Sequence, residues 1–241
     1  MSEIKLKYLV TGTGRCGTVY MARLLSSLGI MCGHESIFTF DGLSQAKNRL
    51  LGKSRITLSG CCIYDIKKKE KIASDWFKPK DIIADSSYLA APFLKEEILK
   101  DTKIIHLVRN PIKVISSQVL DAHFFKFPNQ KQLLWQEFVL IHFPELADIK
   151  DQIERACYFY VVWNNLIANS KESFFHRVED GLTDDLCGFL DIKKKQIETL
   201  LSCETNSWGI RKRDLSYDEI PSGKIKNAFI EQVYKYGYKV E

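Results

Sequence analysis

Residues 7–25 read KYLVTGTGRCGTVYMARLL. The apolar run Leu6–Thr11 has the length and β-branched, aromatic character of a buried strand, and helical spacing of apolar residues resumes from about Gly17 to Leu28. Between them lies Gly12-Thr-Gly14-Arg15-Cys16-Gly17-Thr18. A glycine-rich turn between a strand and a helix is suited to an anion. Its backbone can approach closely, and the N–H groups that open a helix have no intrahelical acceptor.

The same alternation recurs along the chain. Asp81–Ser87 reads as a second strand followed by the helix-like APFLKEEILK, and Thr102–Val108 as a third followed by the helix IKVISSQVLDA. Helical stretches are expected near 131–143, 144–169, 182–190, 193–202 and 224–236, with SFFHRVED as a late strand. Repeated strand-turn-helix units predict parallel strands with crossover helices, hence an α/β layered fold. In such sheets ligands sit at the carboxyl ends of the strands, which places Gly12–Thr18, Asp85–Tyr88 and Arg109–Pro111 on one edge.

Two known loops fit the glycines in part. Gly12-x-Gly14-x-x-Gly17 matches the dinucleotide fingerprint, which wants an acid about 20 residues on, at the end of a second strand. Glu35 lies near that distance, but GIMCGHESIF does not read as a strand. Gly12 to Gly17 also matches the first six positions of a nucleotide-binding P-loop, whose next residues should be Lys and Ser/Thr. Here they are Thr18 and Val19, and valine cannot ligate Mg²⁺. What remains is a cradle of backbone N–H groups beside the fixed charge of Arg15, which suits a phosphate whose chemistry needs no metal. Sulfuryl transfer fits, because the moving SO₃ group carries less charge than a phosphoryl group.

At these residues the chain resembles the sulfotransferases that use 3′-phosphoadenosine 5′-phosphosulfate (PAPS). GRCGT is similar to their phosphate-binding segment, with Arg15 and Cys16 where many members have Lys and Ser. IIHLVRNPIKVISSQ is similar to their second motif, a strand ending in Arg with a Ser eight positions later, here Arg109 and Ser117. Ser116 competes with Ser117 for that place. The resemblance is best over the N-terminal 120 residues and touches ADSSYLAAP (Ala84–Pro92) and, weakly, FHRVED. It implies a P-loop NTPase-like three-layer α/β fold with a central parallel sheet and flanking helices, forming one domain over 1–241. The implied reaction is metal-independent, in-line sulfuryl transfer from PAPS to a small-molecule or carbohydrate acceptor, leaving adenosine 3′,5′-bisphosphate.

By the same resemblance, Gly12, Gly14, Arg15, Cys16, Gly17 and Thr18 hold the 5′-phosphosulfate. Arg109 and Ser117 hold the 3′-phosphate in a second, separate positive pocket. Arg15 also steadies the leaving group. Glu35 is the first candidate for the base that takes the acceptor proton, His34 the second and His123 a third, and Arg211-Lys212-Arg213 is a candidate closing loop. Asp85, Ser86, Ser87 and Tyr88 are placed for acceptor or cofactor contacts or for a plain turn. Glu179-Asp180 is either an acceptor-side feature or a surface turn. The aromatic residues Trp135, Phe138, Trp163 and Tyr158–Tyr160 are expected in the core, with the wall of an acceptor pocket as the alternative. The alternatives to a sulfotransferase are a P-loop nucleotide or small-molecule kinase and a nucleotide-binding relative without turnover.

Composition agrees with a globular chain of 241 residues, 45% hydrophobic and 27% charged, with a net charge of +5. The basic runs at Lys67–Lys71, Lys193–Lys195 and Arg211–Arg213 lack the interleaved aromatics of a nucleic-acid groove. No apolar run nears the roughly 20 residues of a membrane span. Seven cysteines, including adjacent Cys61-Cys62, make no disulfide framework or zinc pattern, so reduced thiols and a cytoplasmic location are expected.

Overall fold

The structure, a computed structural model, describes residues 3–54, 56, 64–65, 70–71, 82–122, 130–192 and 214–240. Cys61-Cys62, His123, the helix expected over 193–202 and Arg211–Arg213 lie outside the described residues.

Five parallel strands form the central sheet: β1 (Tyr8–Gly12), β2 (Cys32–His34), β5 (Ala84–Ser86), β6 (Lys103–Val108) and β7 (Ser173–Arg177), in the order β2-β5-β1-β6-β7. A separate two-residue antiparallel pair joins β3 (Tyr64–Asp65) to β4 (Glu70–Lys71). β1 is central, with Tyr8 opposite both Ala84 and Lys103. In the dinucleotide-binding order the second strand lies against the first. Here β5 intervenes, so the glycines do not open a fold of that type.

Strand alternation builds a core on each face. Leu9 of β1 with Ile104 and Val108 of β6 join one cluster, packed with Ala156, Phe159, Tyr160 and Trp163 of α5 (Gln152–Ala168) and with Phe229 and Val233 of α7 (Lys224–Lys235). Tyr8, Val10, Ile105 and Leu107 point the other way, onto Met21, Leu24 and Leu25 of α1 (Thr18–Ser27) and Leu186 of α6 (Asp184–Phe189). The result is a three-layer α/β arrangement. Trp135, Phe138, Phe159, Tyr160 and Trp163 are core residues, as expected, whereas Tyr158 is only half-buried and its hydroxyl donates to Glu145.

Several elements differ from the sequence reading. GIMCGHESIF does contain a strand, β2, three residues long at the sheet edge. A helix not anticipated, α2 (Gly42–Leu50), follows it and buries Ala46, Arg49 and Leu50. The segment after β5 forms no α-helix. The Ser87 hydroxyl accepts from Leu89 N, and the 3₁₀ turn Tyr88–Phe93 contains Pro92, which has no N–H to continue an α-helical ladder. The stretch 144–169 is also not one helix. A 3₁₀ turn at Pro144–Ala147 precedes α5, which begins where the Asp151 carboxylate accepts from Ile153 N and Glu154 N. After β6, α3 (Pro111–Ser116) starts with proline at its first turn and runs into a π-helical turn, Ser117–Ala122. The remaining helix, α4, spans Gln130–His142. Among the described residues, no helix is long and apolar enough to cross a membrane.

Candidate active site at the strand tips

The glycine loop leaves β1 under tight steric limits. A Cβ on Gly12 would lie 2.1 Å from the Leu107 carbonyl oxygen and 2.6 Å from Cys16 Sγ. Arg15 (φ 74°) and Gly17 (φ 104°) both take left-handed backbone, which turns the chain sharply into α1. Among the described residues no side chain caps the start of α1, so the N-terminal N–H groups and the dipole of this helix face the loop. Cys16 is fully buried beneath, and burial pushes its thiol up to about 12, with the Arg109 charge opposing. It packs the loop rather than presenting a reactive sulfur.

The segment after β6 closes on this loop. Arg109 Nη1 donates to the Arg15 carbonyl at 3.3 Å, and Gln118 Nε2 donates to the Gly14 carbonyl at 3.0 Å. Arg15 Nε donates to Ser117 Oγ at 2.8 Å. Ser116 serves another role: its hydroxyl donates to Ile112 O and accepts from Leu215 N. Helix phase therefore puts Ser117, not Ser116, on the loop. The expectation of two separate positive pockets is corrected here, because Arg15 bonds directly to Ser117 and the residues expected in the two pockets make one group of contacts. At the start of α3, Glu179 accepts from Asn110 N at 2.8 Å and from the Tyr238 hydroxyl at 2.7 Å, while Asp180 pairs with Arg177. Glu179 thus ties the C-terminal segment to the residue beside Arg109.

On the other flank, β2 brings the candidate base to the loop. His34 Nε2 lies 3.1 Å from Thr18 Oγ1 and 3.7 Å from Glu35 Oε1. Glu35 has left-handed backbone (φ 50°), and its N–H donates to the Ser86 carbonyl at 3.2 Å. The Ser86 hydroxyl donates to the Thr18 carbonyl at 2.8 Å, locking β5 to the first turn of α1. Tyr88 is only 7% exposed. Burial first, then the nearby Glu35 carboxylate, raise its phenol well above the usual value, while the Arg15 charge opposes.

Asp85 is fully buried and holds the loop after Glu35 through backbone N–H groups. Burial pushes its carboxyl up to about 6, against the lowering effect of those donors. Sequence reasoning missed Gln118 as a loop anchor, although it directly follows Ser117 in the same motif. A pocket of about 700 Å³ lies at the opposite edge of the sheet, lined by His106, Lys171, Ser173, Phe175, Lys235 and Tyr236, and it includes none of the candidate residues.

The cluster therefore combines two guanidinium groups, the hydroxyls of Thr18 and Ser117, a helix N-terminus and a His–Glu pair. That set can hold a dianion and remove a proton from a group beside it. Compared with known proteins, the chain matches no family model, and no curated protein matches its sequence.

Proposed function

We propose that this chain is a P-loop-like sulfotransferase that moves a sulfuryl group from PAPS to a hydroxyl or amine of a small-molecule or carbohydrate acceptor. One observation carries the reading. Arg109, Arg15 and Ser117 form one set of contacts and Thr18, His34 and Glu35 another, and the single loop that carries both Arg15 and Thr18 brings the two sets, drawn from three strand tips, to the sheet's carboxyl edge.

PAPS, when bound, supplies the sulfuryl group and a 5′-phosphate leaving group. The α1 N-terminus and the Gly12–Thr18 backbone bind that phosphate, and Arg15 balances the charge that grows on it. Arg109 and Ser117 would bind the 3′-phosphate, and the Arg15–Ser117 hydrogen bond supports one continuous donor site. Glu35 accepts the acceptor proton. His34, between Thr18 and Glu35, orients that carboxylate and remains the alternative base. Val19 stands where a Mg²⁺-binding hydroxyl would be needed for ATP chemistry, which favours a metal-independent transfer over a kinase reaction. The free, buried thiols of Cys16, Cys32, Cys157 and Cys187 suit a reducing, cytoplasmic setting.

Thermal unfolding with adenosine 3′,5′-bisphosphate and no metal, set against ATP with Mg²⁺, tests the donor. Stabilisation by the bisphosphate is expected, and stabilisation by ATP–Mg²⁺ alone would overturn the reading. Transfer of labelled sulfate from PAPS to a pooled acceptor panel then tests turnover, and tight bisphosphate binding with no product would mark a binding protein.

A further inference from the structure

The loop that carries Glu35 is gripped on both sides by buried charges. Its amide side rests on Asp85 of β5: Ser36 N, Ile37 N and Phe38 N donate to the Asp85 carboxylate at 3.1, 3.2 and 3.3 Å. With Glu35 N on the Ser86 carbonyl, the four amides from Glu35 to Phe38 are all anchored on two consecutive residues of β5. Gly33, directly opposite Asp85 in register, makes room for this: a Cβ there would lie 2.4 Å from Ser36 Oγ and 3.0 Å from Asp85 Oδ1. The loop's other side is held by Arg49 of α2, only 6% exposed. Arg49 Nη1 donates to the Ile37 carbonyl at 3.0 Å and to Thr39 Oγ1 at 2.9 Å, and Nη2 pairs with the Asp41 carboxylate.

We propose that Asp85 and Arg49 are positioning residues, a two-charge clamp that fixes the Glu35 carboxylate beside His34, which in turn contacts Thr18 of the phosphate loop. The inference rests on the sulfotransferase reading and deepens it. A turn needs no such device. Burying an ion costs several kcal/mol that an apolar residue of similar size does not cost, and Glu35 bears the left-handed backbone that leads into the clamped residues. The clamp offsets that strain and leaves the base few rotations to explore, as a proton acceptor that must meet one oxygen requires.

The test uses the full chain and three readouts. Asp85→Asn keeps the shape but replaces one acceptor oxygen by a donor, so amide hydrogen exchange at residues 36–38 should speed up by at least about 10-fold while exchange in β1 and β6 stays the same. Affinity for adenosine 3′,5′-bisphosphate should stay within about 2-fold, and kcat should fall roughly 10- to 100-fold with the KM for PAPS unchanged. In a Glu35→Gln background, Asp85→Asn should lower the residual rate by less than about 2-fold, because it acts only through Glu35. If Asp85→Asn does not fold, Arg49→Lys carries the same measurements. It keeps the charge and loses the planar fork, so the same changes should appear at smaller amplitude.

Unchanged exchange at 36–38, or an equal rate loss with and without Glu35, would overturn the clamp while leaving the sulfotransferase reading intact. A wild-type protein that neither binds the bisphosphate nor forms a sulfated product would overturn that reading and the positioning role with it.

Discussion

At the scale of single residues, the hydrogen bond from Arg15 to Ser117 decides how the site is partitioned, since it joins groups assigned to opposite ends of the donor. Arg109 makes its contact to the loop through a backbone carbonyl, and among the described residues its guanidinium keeps further donors for a phosphate. Arg109→Ala is expected to weaken adenosine 3′,5′-bisphosphate binding about 30-fold, the loss of about 2 kcal/mol of charge-assisted hydrogen bonding, measured by calorimetry. Ser117→Ala should cost less, about 5-fold, because a neutral donor is worth less than a charged one. Glu35→Gln separates binding from chemistry. Affinity for the bisphosphate should hold, whereas kcat should fall by about 10²- to 10⁴-fold, the usual worth of a general base. Normal turnover by Glu35→Gln would move the proton to His34.

At the scale of elements, β1, β6 and their loops were legible because buried apolar runs end in residues that only a turn or a ligand explains. Arg109 and Ser117 were legible for the same reason, together with helix spacing after Pro111. β2 was not, since Cys-Gly-His has weak strand preference and owes its pairing to β5, about fifty residues away. The helix expected after β5 had the right periodicity, but Ser87 and Pro92 set a 3₁₀ path that periodicity does not register. Asp85 read as turn chemistry because its real partners, the amides of Ser36 to Phe38, become neighbours only when β2 and β5 pair. The β1 loop allows a direct test. Gly12→Ala places a methyl 2.1 Å from the Leu107 carbonyl in the β1–β6 ladder, where Gly12 and Leu107 are register partners, so the backbone cannot yield without breaking the pair. A destabilisation of about 3 kcal/mol or more is expected in urea unfolding. Gly29→Ala is the control: with φ +80° and nothing within 4 Å, it should cost only about 1 kcal/mol of backbone strain.

At the scale of the whole molecule, the sheet separates buried titrating groups that respond oppositely to acid. His106, bonded to Asn164, and His176 are both buried, and desolvation holds each below the usual imidazole value. The unfolded chain takes up protons near 6.5 that these native imidazoles resist, so their contribution falls as pH drops below 6.5. Asp85 works the other way. Burial lifts its folded pKa from 3.8 to about 6, so between those values the native protein holds a proton that the unfolded chain has lost. Its contribution is therefore fully present below 3.8 and is lost as pH rises to about 6. The histidines titrate alike in wild type and Asp85→Asn, so they cancel in the difference between the two proteins. The stability advantage of wild type over Asp85→Asn, measured in urea from pH 4 to pH 7, should shrink by at most about 3 kcal/mol as pH rises to about 6 and then stay level. An advantage that grew with pH would mean that the three amide donors outweigh desolvation and that the clamp carries a low-pKa carboxylate throughout.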